Sequence, residues 1–159
     1  MSAMDSVSGE FTFAMGEFEA TFPLDRGYVS NHMWAVEVSA ERFRFGLTAY
    51  AVRLLQDVYF LDWLPDDSAP VALRQNIGSI ESKKAESDLY APAAGIWRGM
   101  NEEALDDPSV INADTYGAGW LFEMQAPAGD WLMTPDDYRQ HLKSAWLVAQ
   151  RTIRGQTNA

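Results

Sequence analysis

Apolar and polar residues alternate over short runs along most of this chain, and Gly, Pro, Asp and Asn break the runs at short intervals. The alternation predicts strands over residues 33 to 38, 42 to 47, 57 to 63, 76 to 82, 88 to 91, 94 to 99 and 120 to 125. Phe11-Thr12-Phe13-Ala14-Met15 has the same period. Many short strands at this spacing predict a small β-sandwich or barrel. Two short helices interrupt the pattern, one starting at the N-cap candidate Thr48 and one near Asn101-Glu102-Glu103-Ala104-Leu105. The longest helix opens with Thr134 as N-cap and Pro135 at the first helical position. Asp136 and Asp137 follow in the first turn, where the helix dipole favours acids. Tyr138, Leu142, Ala145 and Ala149 recur at helical spacing and predict one apolar stripe packed on the sheets. Beyond Arg151 the polar run Gly155-Gln156-Thr157-Asn158-Ala159 predicts a fraying end, and the small, polar stretch Met1 to Glu10 predicts disorder.

Composition narrows the function classes. At 159 residues the chain suits one domain with one core, and 47% hydrophobic residues exclude general disorder. No apolar run approaches membrane-spanning length. A formal net charge of -11 without a basic stripe excludes nucleic acid as a partner. The acidity fits either partners with basic docking faces or solubility alone. With no cysteine, disulfides and thiolate metal sites are excluded. The N-terminus shows no export or import signal, which makes the cytoplasm the expected compartment. His32 and His141 lie far apart without ligand spacing, so each reads as a packing or surface residue. No nucleophile elbow, phosphate loop or dinucleotide fingerprint occurs, and independent catalysis is not expected.

One stretch stands out. Asn76-Ile77-Gly78-Ser79-Ile80 runs into Glu81-Ser82-Lys83-Lys84-Ala85-Glu86-Ser87-Asp88 and leaves through Leu89-Tyr90-Ala91-Pro92, which predicts a hairpin with two lysines at its tip. This stretch resembles the Glu-Ser-Val-Lys-Ala-x-Ser-Asp signature of the glycine cleavage system H protein family, whose lysine carries lipoate in amide linkage. Tyr28-Val29-Ser30-Asn31-His32-Met33-Trp34, Phe45-Gly46-Leu47-Thr48-Ala49-Tyr50-Ala51, Asp57-Val58-Tyr59-Phe60-Leu61-Asp62 and Asn112-Ala113-Asp114-Thr115-Tyr116-Gly117-Ala118-Gly119-Trp120-Leu121 are similar to four further family blocks. The resemblance covers about Tyr28 to Trp146. Lys83 stands where the family has Val. Glu81, Ser82, Ala85, Ser87 and Asp88 set the register that makes Lys84 the lipoyl site. Biotin carriers centre their lysine between two methionines, and none flanks Lys84.

The resemblance implies a mainly β, barrel-sandwich hybrid fold of the lipoyl- and biotinyl-carrier type, with short helices and a C-terminal helix. It divides the chain into an N-terminal extension, partly disordered (1–22), a carrier domain (23–133) and a C-terminal helix and tail packed on that domain (134–159). The implied role is a monomeric, non-catalytic carrier with lipoate covalently bound to Lys84. Its cargo is an aminomethyl group moved between glycine decarboxylase (the P protein), aminomethyltransferase (the T protein) and dihydrolipoyl dehydrogenase (the L protein). A lipoyl or octanoyl transferase, or a lipoate ligase, would load the lysine. A second reading is an H-like lipoate-binding protein serving another pathway such as sulfur oxidation.

Three departures matter. The family's His-Glu-Trp is His32-Met33-Trp34 here, preceded by Asn31 where Ser is common, so these three residues are the candidates for the cleft that shelters the loaded arm. The family glutamate and the aspartate four past the lysine hold the cationic arm there. Asp88 keeps the second acid, whereas Met33 would remove a charged hydrogen bond of roughly 1.5–3 kcal/mol. Restoring Glu at position 33 is then expected to strengthen retention, with Glu37 or Glu86 as possible substitutes. Gln56 replaces the common Gly before Asp57, and Trp63 is an insertion before Leu64-Pro65. Both change a surface turn, in shape alone or as a docking surface. Gly117 and Gly119 predict a tight turn with backbone angles that favour glycine.

Overall fold

The computed structural model describes residues 9–158, with side chains through Arg151. Residues Met1–Ser8, most of the stretch expected to be disordered, lie outside the described residues, as does Ala159. Eleven strands and four helices follow one another: β1 (Glu10–Met15), β2 (Phe18–Pro23), β3 (Gly27–Val29), β4 (Met33–Ser39), β5 (Arg42–Leu47), α1 (Ala49–Leu55), β6 (Val58–Trp63), β7 (Pro70–Val71), β8 (Asn76–Ser82), β9 (Glu86–Tyr90), β10 (Gly95–Met100), α2 (Glu102–Asp106), α3 (Val110–Ala113), β11 (Phe122–Gln125) and α4 (Pro135–Asn158). Every predicted strand and helix is present, and no strand boundary moves by more than two residues. The strands β2, β3 and β7 and the helix α3 are additions to the expected set.

A six-stranded sheet in the order β3-β4-β5-β11-β10-β7 faces a three-stranded sheet in the order β6-β8-β9, and the two share one core. Phe45 and Phe122 stack at 5.1 Å between ring centroids, and Trp97 stacks on Phe122 at 5.0 Å. Ile77, Ile80 and Leu121 fill the space between the sheets. Alternate strand residues point inward, which is why period-two patterning revealed these strands. Trp63 ends β6 and packs at 5.5 Å from both Trp97 and Phe122, so its insertion adds core rather than loop.

A second core lies on the outer side of the large sheet. The hairpin β1–β2 and helix α4 cover it with Phe22, Tyr28, Trp34, Tyr50, Tyr138 and Leu142. Tyr28 and Tyr138 stack at 4.7 Å. Tyr138 and Leu142 are the fully buried part of the predicted stripe, while Ala145 packs at its margin. The predicted caps are in place. Thr48 Oγ1 accepts from the Ala51 N–H at 3.5 Å, and Thr134 Oγ1 accepts from the Asp137 N–H at 3.1 Å. The backbone of α4 stays helical through Asn158, past the expected fraying point, because one Gly costs only about 1 kcal/mol and no proline interrupts it.

Gly117 and Gly119 are needed for space rather than for their backbone angles. Neither has positive φ, whereas a Cβ on Gly119 would lie 2.7 Å from the Asp114 carbonyl oxygen, and one on Gly117 would lie 2.6 Å from Asp114 Oδ2. Asp114 receives the N–H of both glycines on its carbonyl, which folds this turn tightly over α3.

Candidate functional site

The two lysines occupy a three-residue loop between β8 and β9, as the sequence predicted. Ser82 closes the loop. Its N–H donates to the Ala85 carbonyl at 2.8 Å, its hydroxyl donates to the same oxygen at 3.0 Å, and that hydroxyl accepts from the Ala85 N–H at 3.1 Å. Ser82 is buried, whereas Lys83, Lys84 and Ala85 are exposed. A second set of bonds ties the tip to the chain between α1 and β6. The Lys83 N–H donates to the Asp57 carbonyl at 2.8 Å, and the Lys84 N–H donates to the Leu55 carbonyl at 3.3 Å. The backbone of the tip is therefore held from two sides while both side chains project outward.

Glu81 faces Glu86 across the hairpin, and Asp88 pairs with Ser79. Leu89 is buried, so Asp88 and Tyr90 share the outward face of β9. About 13 Å of strand separates Glu86 from Tyr90. At the Tyr90 end opens a cleft of about 650 Å³, lined by Val29, Ser30, Asn31, Leu73, Tyr90, Ala91, Pro92, Trp131 and Met133, with Arg74 and Asp130 as its charged residues. Asn31 Nδ2 donates to the Tyr90 carbonyl at 3.0 Å and so joins the β3–β4 turn to the lysine hairpin.

Of the three cleft candidates, only Asn31 lines this cleft. Met33 is 1% exposed and belongs to the core, in register with Val29 and Leu47. It forms no cleft wall, and a glutamate in its place would enter the core. His32 turns the chain with φ 69 and packs between Tyr50 and Tyr138. Its Nδ1 is hydrogen-bonded to the Tyr138 hydroxyl at 2.8 Å, and that hydroxyl also bonds Thr48 Oγ1 at 2.9 Å. His141, distant in sequence, comes to 5.4 Å from His32 and donates from Nε2 to the Ser30 carbonyl at 2.9 Å. The histidines thus dock α4 onto the β3–β4 turn. No cluster of three or more possible metal ligands occurs among the described residues.

Burial, and after it the neighbouring His141, lower His32 from 6.5 to about 4. Between those values the unfolded chain takes up a proton that the folded chain refuses. Stability is therefore full above pH 6.5 and falls as pH drops toward 4. Chemical denaturation should find about 2 kcal/mol less stability from this group at pH 5 than at pH 7.5. A His32→Gln variant should lose less over the same interval, and an unchanged pH slope in that variant would contradict the assignment.

Two acids suggested as substitutes are elsewhere. Glu37 accepts from the Glu41 N–H at 2.9 Å near the β4–β5 turn, and Glu86 sits beside the lysine tip. The acid that lines the cleft is Asp130, from the loop before α4. Sequence reading missed it because only the tertiary fold brings that loop to Tyr90. Gln56 caps α1 with φ 62 and ψ -141, a region that costs residues with side chains about 1–3 kcal/mol and that glycine adopts freely. The family's glycine at this place is thus a backbone requirement, and Gln56 meets it under strain.

With fold and site described, comparison places the chain. The sequence model described as "Glycine cleavage H-protein" matches residues 26–145. The glycine cleavage system H protein of Nocardia farcinica is 42% identical over 106 residues, which cover 67% of this chain and 80% of that one. The probable glycine cleavage system H protein of Haloarcula marismortui is 35% identical over 124 residues, covering 76% and 96%. In three dimensions the chain is similar to the crystal structure of a glycine cleavage system H protein from Mycobacterium marinum, with a TM-score of 0.68, 36% identity and coverage of 77% of this chain and 99% of that one. The matched region leaves out β1 and β2, and it contains both sheets, the lysine hairpin and the cleft. This chain belongs to the glycine cleavage H-protein family.

Proposed function

We propose that this chain is the lipoyl-carrying subunit of a glycine cleavage system, with Lys84 as the attachment residue. The observation that carries the reading is an exposed lysine on a hairpin tip whose backbone is hydrogen-bonded on two sides, with an apolar cleft at the far end of the same strand. Family membership favours glycine cleavage over a lipoate carrier for another pathway. Lipoate, when bound, supplies a dithiolane whose sulfur takes and releases a one-carbon amine.

The chain's own residues supply position and shelter. Ser82 and Ala85 fix the loop, and the outward faces of Asp88 and Tyr90 lead from the tip to the cleft. Leu73, Trp131 and Met133 offer an apolar wall for an aliphatic chain, and Asn31 holds the hairpin beside it. Asp88 along the way and Asp130 in the cleft offer carboxylates to a cationic cargo, a role that Met33 does not share. His32 acts behind the cleft by docking α4. Tethering replaces diffusion between enzymes with an effective concentration on the order of millimolar. Glycine decarboxylase, aminomethyltransferase and dihydrolipoyl dehydrogenase are the proposed partners, with a lipoyl or octanoyl transferase or a lipoate ligase as the loading enzyme. Incubating the full chain with a lipoate ligase, lipoate and ATP should raise its intact mass by one lipoyl group. A folded chain that stays unmodified beside a modified H protein would overturn the proposal.

A further inference from the structure

We propose that Asn112 is a positioning residue for the lysine tip, acting through residues 55–58, where α1 ends and β6 begins. The inference rests on the reading of Lys84 as the modified residue. Asn112 lies on α3, whose Ile111 is fully buried in the main core. Its carboxamide meets the backbone on both sides of Asp57. Nδ2 donates to the Gln56 carbonyl at 2.8 Å, and Oδ1 accepts from the Val58 N–H at 3.0 Å. A neighbouring strand would satisfy the same pair of groups, so this side chain stands in for one.

The opposite edge of the segment carries the lysines. The carbonyls of Leu55 and Asp57 receive the N–H groups of Lys84 and Lys83, at 3.3 Å and 2.8 Å. Residues 55–58 are thus held between Asn112 and the tip, with the Gln56 carbonyl and the Val58 N–H facing Asn112 and the Leu55 and Asp57 carbonyls facing the tip. Gln56 gives the arrangement its need for a clamp, because φ 62 with ψ -141 is a conformation a glutamine leaves when nothing holds it. The Lys84 bond is the longest of the four, so a small shift of Leu55 breaks it first.

Asn112→Ala removes both bonds of the clamp. Exchange of the Lys83 and Lys84 amide hydrogens should then speed up by about tenfold or more, the factor that accompanies one lost ordinary hydrogen bond. Amides of Phe45 and Phe122 should keep their rates, and kcat/KM for lipoyl transfer to Lys84 should fall about as much as the tip exchange rises. Adding Gln56→Gly should restore both readouts, since glycine holds this backbone without a clamp. Should Asn112→Ala not fold, Asn112→Asp keeps size and the acceptor for Val58 while removing the donor to Gln56, and the same two readouts apply. Wild-type transfer and tip exchange in a folded variant would overturn the proposal, as would faster exchange spread evenly over the fold. A wild-type chain that takes no lipoyl group would remove the reading of Lys84, and with it any role of Asn112 in modification. Normal wild-type transfer with an unaffected variant would remove the clamp alone.

Discussion

Lys84→Arg should take lipoyl incorporation from complete to none, while Lys83→Arg leaves it at the wild-type level. Arginine keeps the charge at position 84, but a guanidinium does not form the amide. The change should leave stability within about 0.5 kcal/mol, because the side chain is exposed and the loop is held through backbone groups. The effect is therefore one of chemistry and not of folding. Both lysines sit at the tip, and adjacent residues in an anchored loop project in different directions. A loading enzyme that reads the position of the lysine relative to Glu81, Ser82 and Asp88 will accept one of them. Mass spectrometry of both variants after ligase treatment decides the matter. Modification that persists in Lys84→Arg and vanishes in Lys83→Arg would move the attachment site by one residue.

The second large effect is at position 33. Glutamate is the family residue there, and the sequence suggests that restoring it would improve the cleft. The structure predicts the opposite. Met33 is 1% exposed among Val29, Leu47 and their neighbours, so Met33→Glu removes packing and forces a carboxylate into apolar surroundings. Several kcal/mol of desolvation should lower stability by about 3–5 kcal/mol at neutral pH, with part recovered when the carboxyl is protonated. Urea denaturation at pH 7.5 and pH 5 measures this. A change below about 1 kcal/mol would mean that residue 33 reaches solvent, and would return it to the cleft.

The sequence revealed most where its signals are local. Period-two alternation located β4, β5, β10 and β11 of the large sheet and all three strands of the small one, and Thr48, Asn101 and Thr134 marked the starts of three helices. The lysine hairpin was visible as two extended runs around a polar tip. The strand β2 was equally legible but overlooked. Met15-Gly16-Glu17-Phe18 joins two alternating runs, and Gly16 takes φ 67 in the two-residue turn between them. The two residues of β7 and the single turn of α3 are too short to leave a period. What failed was long-range. Nothing near Met33 in sequence announces that it faces Val29 and Leu47 instead of a cleft, and nothing near Asp130 announces Tyr90. His32 and His141 are over a hundred residues apart and meet only because α4 crosses the β3–β4 turn. At Gly117 and Gly119 the constraint is space rather than angle, set by the Asp114 carboxylate at the first and by the backbone of α3 and Asp114 at the second.

Carriage of the glycine-derived amine is read directly from the intact mass of the lipoylated chain after incubation with glycine decarboxylase and glycine. One further aminomethyl group should appear on the lipoylated species, at Lys84, despite methionine at position 33. A lipoylated chain that stays unloaded, while a glycine cleavage H protein in the same reaction is loaded, would contradict it.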